Sequence, residues 1–194
     1  MKKIVSVLMI LCMLLMNVIP CFASSTGTNC PQNTVIAYLS NDNGNIIELN
    51  GELIAQPQLL SAENNEYSAT YMVAVPRARR ETTSIESDPS LASTVYLTVR
   101  YNVSGNQYLL TGVAGYWEIE DVNVSVTSSK VDYSCHANEH VFGRTVRNNF
   151  SFSTNFSQYT PDNGGYSTVG ATLHLKYRMD SDTWNFDLSN NVLG

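Results

Sequence analysis

Beyond residue 34, apolar and polar residues alternate with a period of two along much of the chain. Tyr67, Ala69, Tyr71, Val73 and Val75 hold every second position up to Pro76. Val95, Leu97, Val99, Tyr101 and Val103 repeat the pattern, with Tyr96, Thr98, Arg100 and Asn102 between them. Successive side chains of a strand point to opposite faces, so each run reads as a half-buried β-strand. Val169, Ala171, Leu173, Leu175 and Tyr177 alternate with Thr168, Gly170, Thr172, His174 and Lys176, and Trp184, Phe186 and Leu188 follow. Shorter runs place Trp117 with Ile119, and Val122 with Val124 and Val126. After a Ser128-Ser129 interruption come Val131, Tyr133 and Cys135, and Phe150, Phe152 and Phe156 give an aromatic strand.

Turn residues separate these runs. Asn43-Gly44 lies between Val35–Leu39 and Ile46–Leu49, and Ser104-Gly105-Asn106 predicts a hairpin. Asp162-Asn163-Gly164-Gly165 and Asp180-Ser181-Asp182 mark two further reversals. No stretch carries a sustained helical stripe, and no repeat of fixed period is visible. Short strands closely spaced by turns, without crossover helices, predict an all-β fold. The expected architecture is one antiparallel β-sandwich, immunoglobulin-like or jelly-roll-like, over residues 35–194. Residues 77–93 lack alternation and carry Arg77, Arg79 and Arg80, so they read as an exposed, solvated connecting loop, with a protease-sensitive site as the lesser alternative.

The first residues follow a different pattern. Lys2 and Lys3 precede the apolar run Ile4–Ile19, then Pro20 and the small-residue site ending at Ala23. This predicts a signal peptide over residues 1–23, cleaved after Ala23, and a secreted, extracellular mature protein. Residues 24–34 form an N-terminal tail. Cys21 follows Val18-Ile19-Pro20, without the small residue that precedes a lipidated cysteine. No second apolar run of spanning length follows, so no membrane span is expected in the mature chain. The final residues, Asn190 to Gly194, carry no LPxTG-type sorting signal, and covalent wall attachment is not expected.

Removal of the leader with its two lysines takes the formal net charge from −6 to −8. An acidic, lysine- and arginine-poor chain disfavours nucleic acid as a partner, because backbone binding needs cations in quantity. Cys12 and Cys21 leave with the leader, and Cys30 and Cys135 remain. In an exported chain one pair is expected to form a disulfide. That bridge would close a loop of about 105 residues, worth up to ~4–5 kcal/mol in the chain-entropy model.

His136-Ala137-Asn138-Glu139-His140 has the H-x-x-E-H spacing of a zinc hydrolase motif. On a helix, two imidazoles four residues apart share a face and the glutamate can serve as base. Here the stretch follows directly on a strand and is too short and polar for a buried helix, so a polar loop is expected. Glu118 and Glu120 share a strand face at a spacing of about 7 Å, within reach of an inverting carboxylate pair, although outward acidic residues are ordinarily just solvated. No G-x-S-x-G elbow occurs. Trp117 and Trp184 share parity with apolar neighbours and belong in the core. Tyr96, Tyr116, Tyr159 and Tyr166 are the exposed aromatics of a Tyr/Ser/Asn-rich surface suited to recognition. Four N-x-S sequons, at Asn102, Asn123, Asn149 and Asn155, arise by chance in so Asn/Ser-rich a chain.

The basic-apolar leader, the tyrosine-rich strands, the segment Gly164-Gly165-Tyr166-Ser167-Thr168-Val169-Gly170-Ala171 and the Trp184 strand together resemble small exported β-rich proteins of Gram-positive bacteria that have no assigned function. The resemblance implies an exported β-domain and supplies no active site. The expected role is a non-enzymatic binding protein, without cofactor, for an extracellular protein or glycan. The alternatives are a small metal-dependent hydrolase using His136, Glu139 and His140, and a secreted toxin or inhibitor.

Overall fold

The computed structural model describes residues 34–77, 88–162 and 168–193. The leader, Cys30, the basic residues Arg79 and Arg80, and Tyr166 fall outside them. The described residues form twelve strands: β1 (Thr34–Asn41), β2 (Ile46–Leu49), β3 (Gly51–Ser61), β4 (Glu66–Arg77), β5 (Asp88–Ser104), β6 (Gln107–Ile119), β7 (Val124–His136), β8 (Glu139–Thr145), β9 (Phe150–Ser153), β10 (Thr160–Pro161), β11 (Val169–Met179) and β12 (Asp182–Leu193). β5 begins at Asp88, inside the stretch that lacked alternation. No helix among the described residues is long and apolar enough to cross a membrane.

Two sheets pack face to face, as the alternation requires. The first has the order β2-β1-β12-β11-β7-β8, and the second runs β10-β6-β5-β4-β3 with β9 also on β6. Every pairing is antiparallel. Three hairpins (β1–β2, β7–β8 and β11–β12) make the first sheet, and the chain's last hairpin lies between the other two. A meander from β3 to β6 makes most of the second.

Local chemistry sets the reversals. The β5–β6 turn is Gly105-Asn106, with Gly105 at φ +61°, where a side chain is unfavourable. Asp180 takes φ +53° in the two-residue turn before β12. In the β1–β2 turn the Asn41 side-chain oxygen accepts from the amides of Asn43 and Asn45.

Two bulges adjust which residues face the core. Along β6, Tyr108 and Leu110 point inward; an extra residue, Thr111, then shifts the register against β5, and Val113, Gly115 and Trp117 become the inward set. On β7, a shift at Thr127 does the same, so Val124 lies inward before it and Val131, Tyr133 and Cys135 after it. The Ser128-Ser129 interruption is the sequence trace of this second bulge.

The core lies between the sheets. Leu39, Leu173, Leu175, Phe186 and Leu188 from the first sheet meet Val73, Val95, Leu97, Val99 and Leu110 from the second. Each such side chain contributes about 1.5–3 kcal/mol by leaving water. Trp117 and Trp184 are 6% and 2% exposed, as their parity predicts. Two expectations fail: Ile119 is 39% exposed, and Val122, 97% exposed, sits at the tip of the β6–β7 turn instead of in a strand. There Asp121 accepts from the amide of Asn123 and closes a turn that the valine spacing had suggested was extended.

Polar ties join the layers. The buried Asn190 amide on β12 donates to the carbonyls of Ala69 and Leu97 at 3.1 Å each. The hydroxyls of Ser93 and Tyr177 lie 2.6 Å apart, and burial raises the Tyr177 phenol well above its usual range despite that bond. At one end, Arg77 pairs with Asp121 at 3.1 Å and Asp180 at 2.8 Å.

Candidate functional site

The H-x-x-E-H residues lie on a hairpin. His136 ends β7, Ala137-Asn138 make the turn, and Glu139 and His140 open β8, with His136 opposite Glu139 and His140 opposite Ser134. The loop expected here is thus only its two-residue turn. This backbone lacks the helical spacing that aligns positions four apart on one face. The Glu139 carboxylate instead accepts from the amides of Ser157 (3.0 Å) and Gln158 (3.1 Å) and from the Ser157 hydroxyl (3.1 Å). Partial burial pushes its pKa up, but these bonds and the nearby His136 outweigh it and hold the group below its ordinary value. Glu139 is an anchor for the segment that leads to β10. Among the described residues no three His, Cys, Asp or Glu side chains are grouped to hold a metal ion.

Cys135 is buried, with its Sγ accepting from the Leu110 amide at 3.3 Å. Burial pushes its thiol up, against that bond and the Thr160 hydroxyl. The Cys30–Cys135 pairing involves a residue outside those described. Of the carboxylates on the β6 end, Glu118 is exposed, Glu120 accepts from the Thr94 hydroxyl at 3.3 Å, and Asp121 is committed to Arg77.

The outward tyrosines are brought together. Tyr96 on β5 is the direct register partner of Tyr116 on β6, and their rings stack with centroids 4.1 Å apart and planes 10° from parallel. Tyr116 is 37% exposed. The Thr111 bulge makes this pair. If β6 ran through Thr111 in regular register, Tyr116 would share the inward parity of Leu110, and Trp117 would turn to solvent. Thr111 is itself held: its hydroxyl donates to Glu66, and its carbonyl accepts from the Thr154 amide. Partial burial, the hydrogen bond to Tyr96 and the Glu118 charge together push the Tyr116 phenol above its ordinary value. Tyr159 is half-buried away from this pair in sequence, beside β10.

Below the pair, the outer face is small and hydroxylic. The next row across the strands is Thr70, Thr98, Ala114 and Ser151, with the two threonine hydroxyls 2.8 Å apart. The following row is Ser68, Arg100, Gly112 and Ser153. Arg100 lies over Gly112. A Cβ there would meet its guanidinium at 2.6–2.9 Å, so only glycine leaves this space. Arg100 makes two long contacts, to the Ser151 hydroxyl (3.4 Å) and the Phe152 carbonyl (3.5 Å), and its shielded Nε has no partner. Four residues of strand separate each tyrosine from the Arg100 row, roughly 13 Å by strand rise.

The opposite outer face carries a different cluster. His174 on β11 lies 2.6 Å from Asp187 on β12 and 3.3 Å from Asp132 on β7. The Asp187 hydrogen bond raises the His174 pKa; partial burial opposes it, and both carboxylate charges add to the rise.

The edges of the sheets are poor templates for strand addition. β3 shifts register against β4 three times and carries Pro57, β8 shifts twice and has Gly143 at φ +66°, and β2 and β9 have four residues each. Such devices blunt an edge. The fold and its outer faces thus define a two-sheet antiparallel β-protein with a tyrosine- and hydroxyl-lined surface. No family model, curated protein or solved structure matches the chain.

Proposed function

We propose that this chain is an exported, non-enzymatic recognition protein that binds an extracellular partner through the outer face of the second sheet. The observation that carries the reading is the Tyr96–Tyr116 stack, placed in register at the surface by a bulge held at two points. Aromatic side chains offer large contact area with few rotatable bonds, and adjacent serine and threonine hydroxyls supply adaptable hydrogen bonds. The blunted edges favour binding by a face over pairing with a partner strand, the mode an open edge would provide. The basic-apolar leader supports action outside the cell.

Labelled exported protein, titrated onto washed bacterial cells and cell-wall fractions, tests this. Saturable binding is expected, reduced at least fivefold by Tyr116→Ser and unchanged by Ile46→Ser on the other sheet. A folded protein that shows no saturable binding, or whose binding ignores Tyr116, contradicts the proposal.

A further inference from the structure

We infer that the ligand is a saccharide chain bearing carboxylate groups, of the uronic-acid class, laid along β5 and β6 from the tyrosine pair to Arg100. The inference rests on the recognition reading above and names its ligand.

Three observations select this chemistry. Arg100 is a cation without an anion: among the described residues no carboxylate pairs with it and both contacts of its Nη2 are long, while its shielded Nε is closed to a ligand and leaves the terminal nitrogens to hold one. The nearby Glu66 is engaged with Thr111 instead. A planar guanidinium with donors to spare is matched to a carboxylate, which it can hold by two parallel bonds. Second, the space for that guanidinium is built into the backbone by Gly112. Third, the surface between Arg100 and the tyrosines is uncharged and hydroxylic, with Thr98, Ala114 and Ser151 presenting small groups. A pyranose has an apolar C–H face and a rim of hydroxyls. The exposed part of Tyr116 suits the first, and the threonine and serine hydroxyls suit the second. A protein partner is less well matched, because protein interfaces centre on buried apolar anchors and this surface has hydroxyls at its centre.

The experiment uses the whole exported protein and three polyuronates (polygalacturonate, alginate and hyaluronan), each beside its carboxyl-reduced form. Saturable binding to at least one polyuronate is expected, weakened about tenfold or more by carboxyl reduction. Arg100→Ala should cause a similar loss, the worth of one charge-assisted contact. Arg100→Lys, which keeps the charge and loses the fork, should restore only part of it. Gly112→Ala should weaken binding while circular dichroism and melting show a folded sample, because it displaces the guanidinium without removing it. Equal binding to native and reduced polymers overturns the carboxylate assignment, as does Arg100→Ala without effect. Binding of the cell-wall fraction that depends on Tyr116 but survives periodate and is abolished by protease identifies a protein ligand; it overturns this inference and leaves the recognition face standing. Loss of Tyr116 dependence overturns both.

Discussion

Asn190 occupies an inward position on β12 between Leu188 and Val192 and is fully buried. Its amide reaches two carbonyls of the opposite sheet. Replacing it with leucine removes those donors from a dry site, and a loss of about 2–3 kcal/mol is expected in urea unfolding. Two glycines make a contrasting pair. At Gly112 a methyl group meets the movable end of Arg100, so Gly112→Ala should change stability little. At Gly170 it meets the Asn190 backbone carbonyl at 2.5 Å, and Gly170→Ala should cost about 1–3 kcal/mol. Similar urea midpoints for the two variants would contradict this reading. His174 gives a pH dependence. Its folded pKa lies above the ordinary 6.5, so its charged contacts with Asp187 and Asp132 stabilise the fold fully below that value. The contribution fades as pH rises through the raised folded value. Urea midpoints of the wild type and His174→Asn should therefore differ more near about pH 5.5 than near about pH 8.5. A difference that grows with pH would refute the assignment.

At the scale of elements, the Thr111 bulge decides which way the end of β6 faces. Deleting Thr111 joins Leu110 to Gly112 and should leave a regular strand that keeps Tyr116 outward and Trp117 inward. The expected result is a native-like tryptophan emission with cooperative melting, whereas a red-shifted spectrum would show that Thr111 is not the extra residue of the bulge. The strands themselves were legible wherever one face is buried: Val95–Tyr101 and Val169–Tyr177 alternate because each has one dry side. β3 was not legible, since Leu53, Ile54 and Ala55 are contiguous and Ile54, Leu59 and Leu60 remain exposed on a broken edge strand. β8 hides for a related reason. It is held by hydrogen bonds to β7 and presents polar residues and a 73%-exposed Phe142. The outward tyrosines could be read from parity, but their stacking could not. It depends on a turn at Gly105-Asn106 plus one unpaired threonine, and the sequence marks only the first. Likewise nothing local announces that Arg100 needs the glycine opposite, because the pairing is set by that same register.

For the whole molecule, the layers share one core, and neither sheet buries its inner face alone. Leu97→Ala in the second sheet and Leu188→Ala in the first should each cost about 2–5 kcal/mol. The two tryptophans report on different sheets, Trp117 on the second and Trp184 on the first. Single-tryptophan proteins, Trp117→Phe and Trp184→Phe, should each give a fluorescence transition coincident with its own far-ultraviolet transition, as one cooperative unit does. Separate fluorescence and backbone transitions within either protein would show that the sheets unfold independently.

The central claim is that recognition occurs on the outer face of the second sheet. Its most direct test is a residue-resolved footprint by nuclear magnetic resonance of the isotope-labelled protein, titrated with the ligand fraction it binds. The account predicts shifts concentrated at Tyr96, Thr98, Arg100, Tyr116 and Ser151, with His174 and the β7–β8 hairpin unmoved. Shifts centred instead on the His174 face, or on His136 to His140, would contradict it.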